Sequence, residues 1–342
     1  MKKITTVGID LAKSVFQLHG VNERGVAVVR KQVRRTELLR TVAQLPACTI
    51  GLEACASSQF WARQFQRFGH QVRLMSPQFV KPYVKSQKND QADAEAICEA
   101  VQRPNMRFVP LKSLEQQDLQ CAHRARQGLM TARTALVNRM RGLLGEYGVV
   151  IARRPATVRR EVPELLGDAS NGLTAAAREL IADLYEHFVQ LEERIRRVED
   201  LINRLGSTQE IVTRLRTVPG IGALTATALF AAAGDGKAFR NGRQMAAWVG
   251  LVPRQDSSGG KPRLLGITKR GDKYLRYLLV HGGRCIATLA SRRPAAAACS
   301  WINAVRERRG KQRAYVAQAN KLARIAWAVM TSGENYRPPA QA

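Results

Sequence analysis

Residues 4–11 read ITTVGIDL, a run of β-branched and apolar side chains that ends near Asp10. Such a run is typical of a buried strand. It is followed by SVFQLHGVN at 14–22 and GVAVVRKQV at 25–33, in which apolar and polar residues alternate. The connections LAK (11–13) and NERG (22–25) are short, so the three runs predict an antiparallel meander.

Outward from this meander, the next segments predict helices that alternate with further strands. TELLRTVAQL (36–45), SSQFWARQFQRFG (57–69) and residues 90–102 are helical in pattern. CTIGLEA (48–54) and QVRLMSP (71–77) predict strands, and RFVPL (107–111) predicts a last edge strand. This order predicts an α/β fold with a mixed sheet and helices packed against it.

The segment from Leu114 to about Tyr147 predicts a long helix in a region rich in arginine. Residues 121–160 contain one acid, Glu146, and nine arginines, at positions 124, 126, 133, 139, 141, 153, 154, 159 and 160. A solvated helix face usually mixes both signs of charge, so one sign favours a track for phosphates. The arginines that we expect to bind nucleic acid on the long helix are Arg124, Arg126, Arg133, Arg139 and Arg141.

A heptad pattern occupies residues 173–205, with charged flanks in LEERIRRVEDLINRL (191–205). It predicts a long helix with a coiled-coil seam. This helix either pairs with a second chain or folds back on the arginine-rich helix, and we favour self-association. The seam residues are Leu173, Leu180, Leu184, Phe188, Leu191, Ile195, Val198, Ile202 and Leu205.

After Gly206 the composition shifts to small residues in TVPGIGALTATALFAAAGD (217–235). A Pro-Gly-Ile-Gly turn between two helices resembles a helix-hairpin-helix, whose turn amides and following helix N-terminus bind a DNA phosphate. On this interpretation Gly220 and Gly222 contact nucleic acid. The alternative is a tight glycine turn between packed, alanine-rich helices.

The stretch RQDSSGGKPRLLGITKRGDKYLR (254–276) joins two serines and two glycines to a set of basic residues. Glycines let a backbone approach a phosphate closely, and cations offset its charge. A serine is a poor nucleophile unless its proton is removed or its target is activated, and a flexible polar loop is the alternative. The expected nucleic-acid-binding residues here are Arg254, Lys261, Arg263, Lys269, Arg270 and Lys273.

These patterns predict four regions: a sheet domain at 1–112, a helical and coiled-coil region at 113–206, a mainly helical C-terminal domain at 207–332, and a tail at 333–342. KQRAYVAQANKLARIAWAVM (311–330) predicts an amphipathic core helix of the third region. The terminal NYRPPAQA (335–342) predicts disorder.

The charge balance of the chain indicates a polyanionic partner. Among 342 residues, 55 Lys and Arg stand against 27 Asp and Glu, for a formal net charge of +28. This excess is larger than solubility requires, although a merely basic protein of the ribosomal kind is the alternative. The 45% hydrophobic content predicts a globular chain.

The six cysteines are scattered, with no CxxC pair, and the five histidines are dispersed. This spacing excludes a disulfide framework and a zinc site, and it predicts reduced, buried thiols in a cytosolic protein. No apolar run reaches the roughly 18 residues of a membrane span. The N-terminal MKKITTVGID (1–10) leads directly into a strand pattern, so we expect no signal peptide.

Four carboxylates stand out in so basic a chain: Asp10, Glu53, Asp90 and Asp93. Asp90 and Asp93 open a helix, where like charges cost about 0.2–0.5 kcal/mol and the helix dipole returns about 0.3–1 kcal/mol. These energies do not separate a capped turn from half of a metal site. In a ribonuclease-H-like sheet the first and fourth strands are neighbours, which brings Asp10 near Glu53. Four carboxylates in one cleft suit two Mg²⁺ ions.

As an ordered set, these motifs resemble one family. GIDLAK (8–13), GLEA (51–54), KNDQADA (88–94), PGIG (219–222), SSG (257–259) and GITKRGDKYLR (266–276) are similar to the insertion-sequence transposases of the one-ten type, the bridge-RNA-guided recombinases. Their relatives include the Piv-type DNA invertases. The resemblance covers about residues 4–330.

The resemblance implies a RuvC-like domain with a DEDD metal site, a coiled-coil linker and a C-terminal domain with a catalytic serine. Carried over by position, the acids are Asp10, Glu53, Asp90 and Asp93, and the serine is Ser258, with Ser257 beside it. It implies two Mg²⁺ or Mn²⁺ ions, attack by the serine on a DNA phosphate, and an active site that assembles between subunits. The implied partners are double-stranded donor and target DNA, a non-coding bridge RNA and further copies of the chain, as a dimer or tetramer in the bacterial cytoplasm.

Three other functions are compatible with the same residues. A hydrolytic RuvC-like nuclease, such as a junction resolvase, would use the four acids without the serine. An actin-like ATPase would use GIDLAK (8–13) as a phosphate loop, although Ala12 and Lys13 stand where that loop has Gly, Ser or Thr. A non-enzymatic nucleic-acid-binding protein would use only the hairpin-like turn and the basic helices.

Overall fold

A computed structural model describes residues 3–85, 89–292 and 300–338. The chain forms two compact units, Met1–Ser113 and Leu114–Ala342. The boundary predicted at residue 206 therefore falls inside the second unit. Lys88 of the KNDQADA motif, Cys299 and the last four residues of the predicted tail lie outside the described residues.

The first unit is built on a six-stranded mixed sheet. Its strands are β1 (Thr6–Asp10), β2 (Val15–Val21), β3 (Ala27–Arg34), β4 (Thr49–Glu53), β5 (Gln71–Met75) and β6 (Phe108–Val109), in the order β3-β2-β1-β4-β5-β6. The meander β1-β2-β3 is antiparallel, β4 runs parallel to β1 and β5, and β6 is an antiparallel edge. The predicted α/β fold and the pairing of the first and fourth strands are confirmed.

Helices cover both faces of this sheet. They are α1 (Leu38–Ala43), α2 (Ser58–Arg67), α3 (Pro77–Val80), a 3₁₀ turn at Lys81–Tyr83, and α4 (Asp90–Val101). Val7, Ile9, Ile50 and Leu52 point to one face and pack with α1 and α2. Because side chains alternate along a strand, Gly8 and Asp10 point to the other face, which α4 covers.

The second unit is mainly helical, as predicted. Its helices are α5 (Leu114–Gly145), α6 (Pro155–Gly167), α7 (Ala175–Ser207), α8 (Glu210–Leu215), α9 (Ala223–Ala233), α10 (Gly242–Val249), α11 (Lys273–Arg292), α12 (Ser300–Arg309) and α13 (Lys311–Ser332). A two-stranded hairpin of β7 (Pro253–Gln255) and β8 (Leu264–Ile267) interrupts the series. The core of this unit joins α9, α10, α11 and α13 to the first turns of α5 and the last turns of α7.

The heptad seam of α7 packs inside the chain. Leu184, Phe188 and Leu191 are buried in one cluster with Leu136 and Met140 of α5. The fold-back alternative is therefore the one that the structure shows, and the buried seam is not free to pair with a second chain. Because a straight helix has 3.6 residues per turn, the seam drifts. The list of seam positions changes accordingly: Ile181 is buried, and Leu180 is 49% exposed.

Two further expectations need correction. The described part of the predicted disordered tail is anchored, because the Tyr336 N–H donates a hydrogen bond of 2.9 Å to Thr217 Oγ1 and its ring packs on the core. The five described cysteines are free thiols, yet only Cys48 and Cys98 are buried. The exposed ones are Cys55, Cys121 and Cys285. Across the described ranges, no helix combines the length and apolarity needed to cross a membrane.

Candidate metal centre and serine hairpin

Three of the four predicted acids meet at one edge of the first unit. Asp10 ends β1, and Asp90 and Asp93 occupy the first turn of α4. One carboxylate oxygen of each lies within 4.8 Å of those of the other two. Asn89 caps the helix, since its Oδ1 accepts a 2.7 Å hydrogen bond from Ala92 N–H. The cap and the acid cluster therefore coexist, and the cap fixes the turn that carries both aspartates.

Glu53 lies beside this cluster on the neighbouring strand. It ends β4, which runs parallel to β1, so both acids stand at the same edge of the sheet. Glu53 is not part of the three-carboxylate group that meets within 4.8 Å. Glu53 is nevertheless close enough to interact with the cluster electrostatically. Burial, followed by the charges of Asp10 and Asp93, raises the pKa of Glu53.

Two glycines explain how α4 reaches the acids. A methyl group at Gly8 would lie 2.3 Å from Ala94 O and 2.4 Å from Cys98 N, so the α4 backbone rests directly on β1. A methyl group at Gly51 would lie 2.9 Å from the side chain of Val101. Each glycine stands two residues before an acid, on the same face of its strand. Close approach at Gly8 thus sets the distance between Asp10 and the first turn of α4.

We expect Gly8→Ala to destabilise the first unit by about 3 kcal/mol or more, at the upper end of overpacking costs, because its clash is with backbone. Gly51→Ala is the matched control and should cost less, about 1–2 kcal/mol, because its methyl group would lie 2.9 Å from Val101 Cβ rather than 2.3 Å from a backbone oxygen. Hydrogen–deuterium exchange of α4 in the full chain measures both effects. Equal protection of α4 in the two variants would contradict the proposed role of Gly8.

Mutual repulsion and burial disfavour the state in which all four carboxylates are ionised. Burial, followed by the charges of Asp93 and Asp90, raises the pKa of Asp10 to about 6, while the Leu11 amide acts in the opposite direction. Burial and the charges of Glu53 and Asp10 also raise the pKa of the Cys55 thiol. Within the described residues, none of the four acids forms an ion pair.

This donor set fits a hard divalent cation. Carboxylate oxygens are the ligands that Mg²⁺ and Mn²⁺ prefer, and a cation would offset the mutual repulsion of the acids. Asp10, Asp90 and Asp93 could hold one ion directly, and Glu53 stands where it could complete a second position. Neither the thiol of Cys55 nor a histidine is needed for such a site.

The serine stretch forms a tight β-hairpin in the second unit. Gly259 and Gly260 have φ values of +55° and +75°, and Lys261 N–H donates a 3.0 Å hydrogen bond to Ser258 O. Positive φ at both central positions is the geometry of a type I′ turn, which explains the two glycines. The stretch is therefore a defined turn with Ser258 at its start, rather than the flexible polar loop of the alternative.

The two serines differ in their surroundings. Ser257 Oγ accepts hydrogen bonds from Gln255 Nε2 at 3.0 Å and from Arg263 N–H at 3.1 Å. Ser258 is exposed, and its hydroxyl makes no side-chain hydrogen bond with any residue that the structure describes. Ser257 therefore holds the hairpin together, and Ser258 presents an unengaged hydroxyl.

Comparisons with known proteins agree with these features. A family model described as Transposase IS116/IS110/IS902 family matches residues 212–298, and a transposase model named after the letters DEDD matches residues 7–149. A probable family 20 transposase of Pseudomonas aeruginosa is 46% identical over 336 residues, which cover 98% of this chain and 99% of the relative. The chain belongs to the IS116/IS110/IS902 family of transposases.

Two further relatives of this transposase span its whole length. The transposase for insertion sequence element IS1111A of Coxiella burnetii is 43% identical over 337 residues, or 98% of this chain and 92% of the relative. The transposase for element IS1328 of Yersinia enterocolitica is 41% identical over 335 residues, or 97% and 98%. The family resemblance predicted from the sequence is confirmed, and with it an enzyme that transposes DNA. A DEDD family is consistent with use of a divalent metal.

The arginines predicted to form a phosphate track on α5 divide into two groups. Arg126 pairs with Glu199 of α7 at 2.6 Å, Arg133 pairs with Glu192, and Arg141 Nε donates to Ile151 O at 2.9 Å. Arg126 and Arg133 thereby join α5 to α7 of the transposase, and Arg141 ties α5 to the segment before α6. These contacts reduce the availability of all three arginines for phosphates. Arg124 and Arg139 are exposed, as are the α6-region arginines at 153, 154, 159 and 160.

The two glycines of the Pro-Gly-Ile-Gly turn differ in their surroundings. Gly220 has a φ of +83°, and its carbonyl oxygen would lie 2.2 Å from a methyl group placed at Gly282 of α11. The turn therefore packs against α11 at Gly220, as the glycine-turn alternative requires. Gly222 is exposed and caps α9 without a side chain, so the α9 N-terminus faces solvent.

The basic residues expected around the serine hairpin are all exposed. They are Arg254, Lys261, Arg263, Lys269, Arg270 and Lys273. Arg276 differs, because its Nη1 donates to Val249 O at 2.9 Å and to Gly271 O at 3.1 Å.

Sequence reasoning missed Gly8 and Gly51, whose signal was a glycine two positions before each strand-borne acid.

Proposed function

We propose that this transposase cuts and exchanges DNA strands with a metal centre of Asp10, Glu53, Asp90 and Asp93 and with Ser258 as nucleophile. The observation that carries the proposal is that carboxylate oxygens of Asp10, Asp90 and Asp93 lie within 4.8 Å of one another. No lysine, arginine or histidine side chain within the described residues forms an ion pair with them. Carboxylates that converge in this way, in a chain with a net charge of +28, form a site suited to a divalent cation.

In this proposal the four carboxylates would hold two Mg²⁺ or Mn²⁺ ions. When bound, the ions polarise the scissile phosphate and stabilise the leaving oxygen. Asn89 holds the first turn of α4, and the glycine contact at Gly8 keeps this turn against β1. The chain thereby orients its carboxylates before substrate arrives, so little reorganisation accompanies the reaction.

Ser258 attacks the phosphate in the proposed reaction. A bond forms between Ser258 Oγ and phosphorus, and the bond from phosphorus to the 3′ oxygen breaks. The hydroxyl proton ends, overall, on that 3′ oxygen, which leaves a 5′-phosphoserine link and a free 3′-OH. Attack of another 3′-OH on the phosphoserine reverses the step and joins a new strand, so no ATP is consumed. Arg254, Lys261 and Arg263 lie exposed on the same hairpin and can offset the phosphate charge.

A non-coding bridge RNA and self-association belong to the same proposal. The family resemblance is their source, and the exposed arginines Arg124 and Arg139 support a polyanionic partner of this kind. The protein would bind nucleic-acid backbone and shape, while base pairing selects donor and target DNA. Since the α7 seam is buried against α5, a homo-oligomer would need another surface.

The test is covalent capture of DNA on the purified protein with its copurifying RNA. We expect denatured reaction mixtures with donor DNA, target DNA and Mg²⁺ to yield a DNA-linked peptide that contains residues 257–258. Tandem mass spectrometry assigns the modified serine, and EDTA serves as the control that abolishes the adduct. Strand exchange without any protein–DNA adduct would show that the serine step is wrong.

A further inference from the structure

The second unit carries a groove that the chemistry above does not use. It has a volume of about 1180 Å³ and lies over α13, between the start of α10, strand β8 and α12. Its lining includes the apolar residues Leu265, Ile267, Val316 and Ile325. We call it the α13 groove. All of its lining residues belong to the described part of the chain.

The charged residues of the α13 groove have one sign. Arg243, Arg313, Lys321 and Arg324 line it, and no Asp or Glu is among the described lining residues. Arg243, Arg313 and Arg324 are exposed, and within the described residues their side chains make no ion pair or hydrogen bond. Elsewhere in this unit arginines such as Arg126 and Arg214 are paired with glutamates. Unpaired cations around a cavity indicate an anionic ligand.

An indole also lines the α13 groove. Trp301 of α12 is 43% exposed, and Lys321 Nζ lies over its ring, 4.7 Å from the ring centroid. A partly exposed indole can stack on a nucleic-acid base, and the neighbouring ammonium can offset the charge of the phosphate that the base carries. Trp327 also lines the groove, but its Nε1 is already used in hydrogen bonds to Gly236 O and Phe239 O.

These features together select the kind of ligand. A duplex keeps its bases stacked inside and offers only phosphates and groove edges, so its bases could not contact the apolar residues of the groove lining. An acidic peptide matches the cations but not the exposed indole. The bases of an unpaired strand can contact the apolar lining and stack on Trp301, and its phosphates can bind the arginines of the groove. DNA is the substrate that the transposase family implies.

We propose that the α13 groove binds an unpaired DNA strand, with a base on Trp301 and phosphates on Arg313 and Arg324. The inference goes beyond the proposed chemistry, because it needs neither the carboxylate centre nor Ser258. Binding in EDTA therefore tests it separately from strand cleavage. A loss of cleavage with intact binding would leave this inference standing.

The experiment measures binding of a fluorescent dT12 strand to the full protein in EDTA at several salt concentrations. Trp301→Leu should weaken binding by about 5-fold to 100-fold without changing the salt dependence, because stacking is not ionic. Arg313→Gln and Arg324→Gln should each reduce the slope of log K against log salt by about 0.7, the value for one phosphate contact of a single strand. Quenching of tryptophan emission by dT12 should shrink in Trp301→Leu.

Arg204→Gln is the matched control, since Arg204 is exposed on α7, outside the α13 groove, and its replacement removes the same charge. It should leave dT12 affinity within about twofold of wild type, as surface changes usually do. Groove variants that bind dT12 like the control would overturn the proposal. A preference for a 12-base-pair duplex, for the matching RNA strand or for a poly-glutamate peptide over dT12 would overturn it as well.

Discussion

Replacing Asp10 by asparagine should abolish strand cleavage while making the metal-free protein more resistant to heat. Asp10 is the acid that ends β1 and meets Asp90 and Asp93 within 4.8 Å. Removal of groups that only support metal ligands costs about 10–100-fold in activity or affinity, so loss of a ligand should exceed about 100-fold. The stability gain comes from relief of repulsion among the carboxylates.

The sign of the stability effect follows from the pKa of Asp10, which is raised to about 6 from 3.8. Between these values the unfolded chain has lost the proton and the folded chain keeps it, so the wild type loses stability as pH rises. Above about pH 6 the loss is complete, and asparagine avoids it. Because Asp10 is only partly buried and solvent screens its charge, we expect a gain on the order of 1 kcal/mol above pH 6 and none below pH 4.

Thermal unfolding with and without Mg²⁺ measures both parts of this prediction. Mg²⁺ should raise the Tm of the wild type, since a ligand that binds only the folded state stabilises it, and should not raise that of Asp10→Asn. Glu23→Gln is the control, because Glu23 is an exposed acid outside the cluster. Cleavage by Asp10→Asn above about one-tenth of the wild-type rate, against the expected 100-fold loss, would rule out the metal assignment.

Ser258→Ala should remove the covalent protein–DNA product and reduce strand exchange to below about 1% of wild type, because no other hydroxyl replaces the nucleophile. The neighbouring Ser257 provides the comparison. Its hydroxyl accepts hydrogen bonds from Gln255 and Arg263, so Ser257→Ala should loosen the hairpin at a cost of about 1 kcal/mol per hydrogen bond lost. We expect this variant to slow the reaction about tenfold and to keep the adduct.

Denaturing gels and mass spectrometry of both serine variants separate the two roles. A hydrolytic nuclease that uses only the carboxylates would cut DNA equally well in Ser258→Ala, and that result would replace the recombinase proposal with the nuclease alternative. Loss of the adduct in Ser257→Ala, with retention in Ser258→Ala, would exchange the roles of the two serines. Circular dichroism of each variant verifies that the exposed substitutions leave the helices intact.

The sheet and the four acids of the first unit were accessible from sequence because they depend on local patterns. Strands appear as alternation, and a polar Asp10 at the end of an apolar run is costly unless it is paired or bound. The arginines of α5 were less accessible. Arg126 and Arg133 look like solvent-facing cations in the sequence, but Glu199 and Glu192 come beside them only when α7 folds back.

The sequence by itself determined the α/β order of the first unit, the family and the identity of the candidate acids, since these rest on residue type and spacing along the chain. The tertiary structure decided which residues meet. It placed Asp90 and Asp93 against Asp10 through the contact at Gly8, buried the α7 seam within one chain, and gathered Arg243, Arg313 and Arg324 around one groove. Such contacts join residues far apart in the chain and depend on how the elements pack, so the local periodicity of the sequence does not predict them.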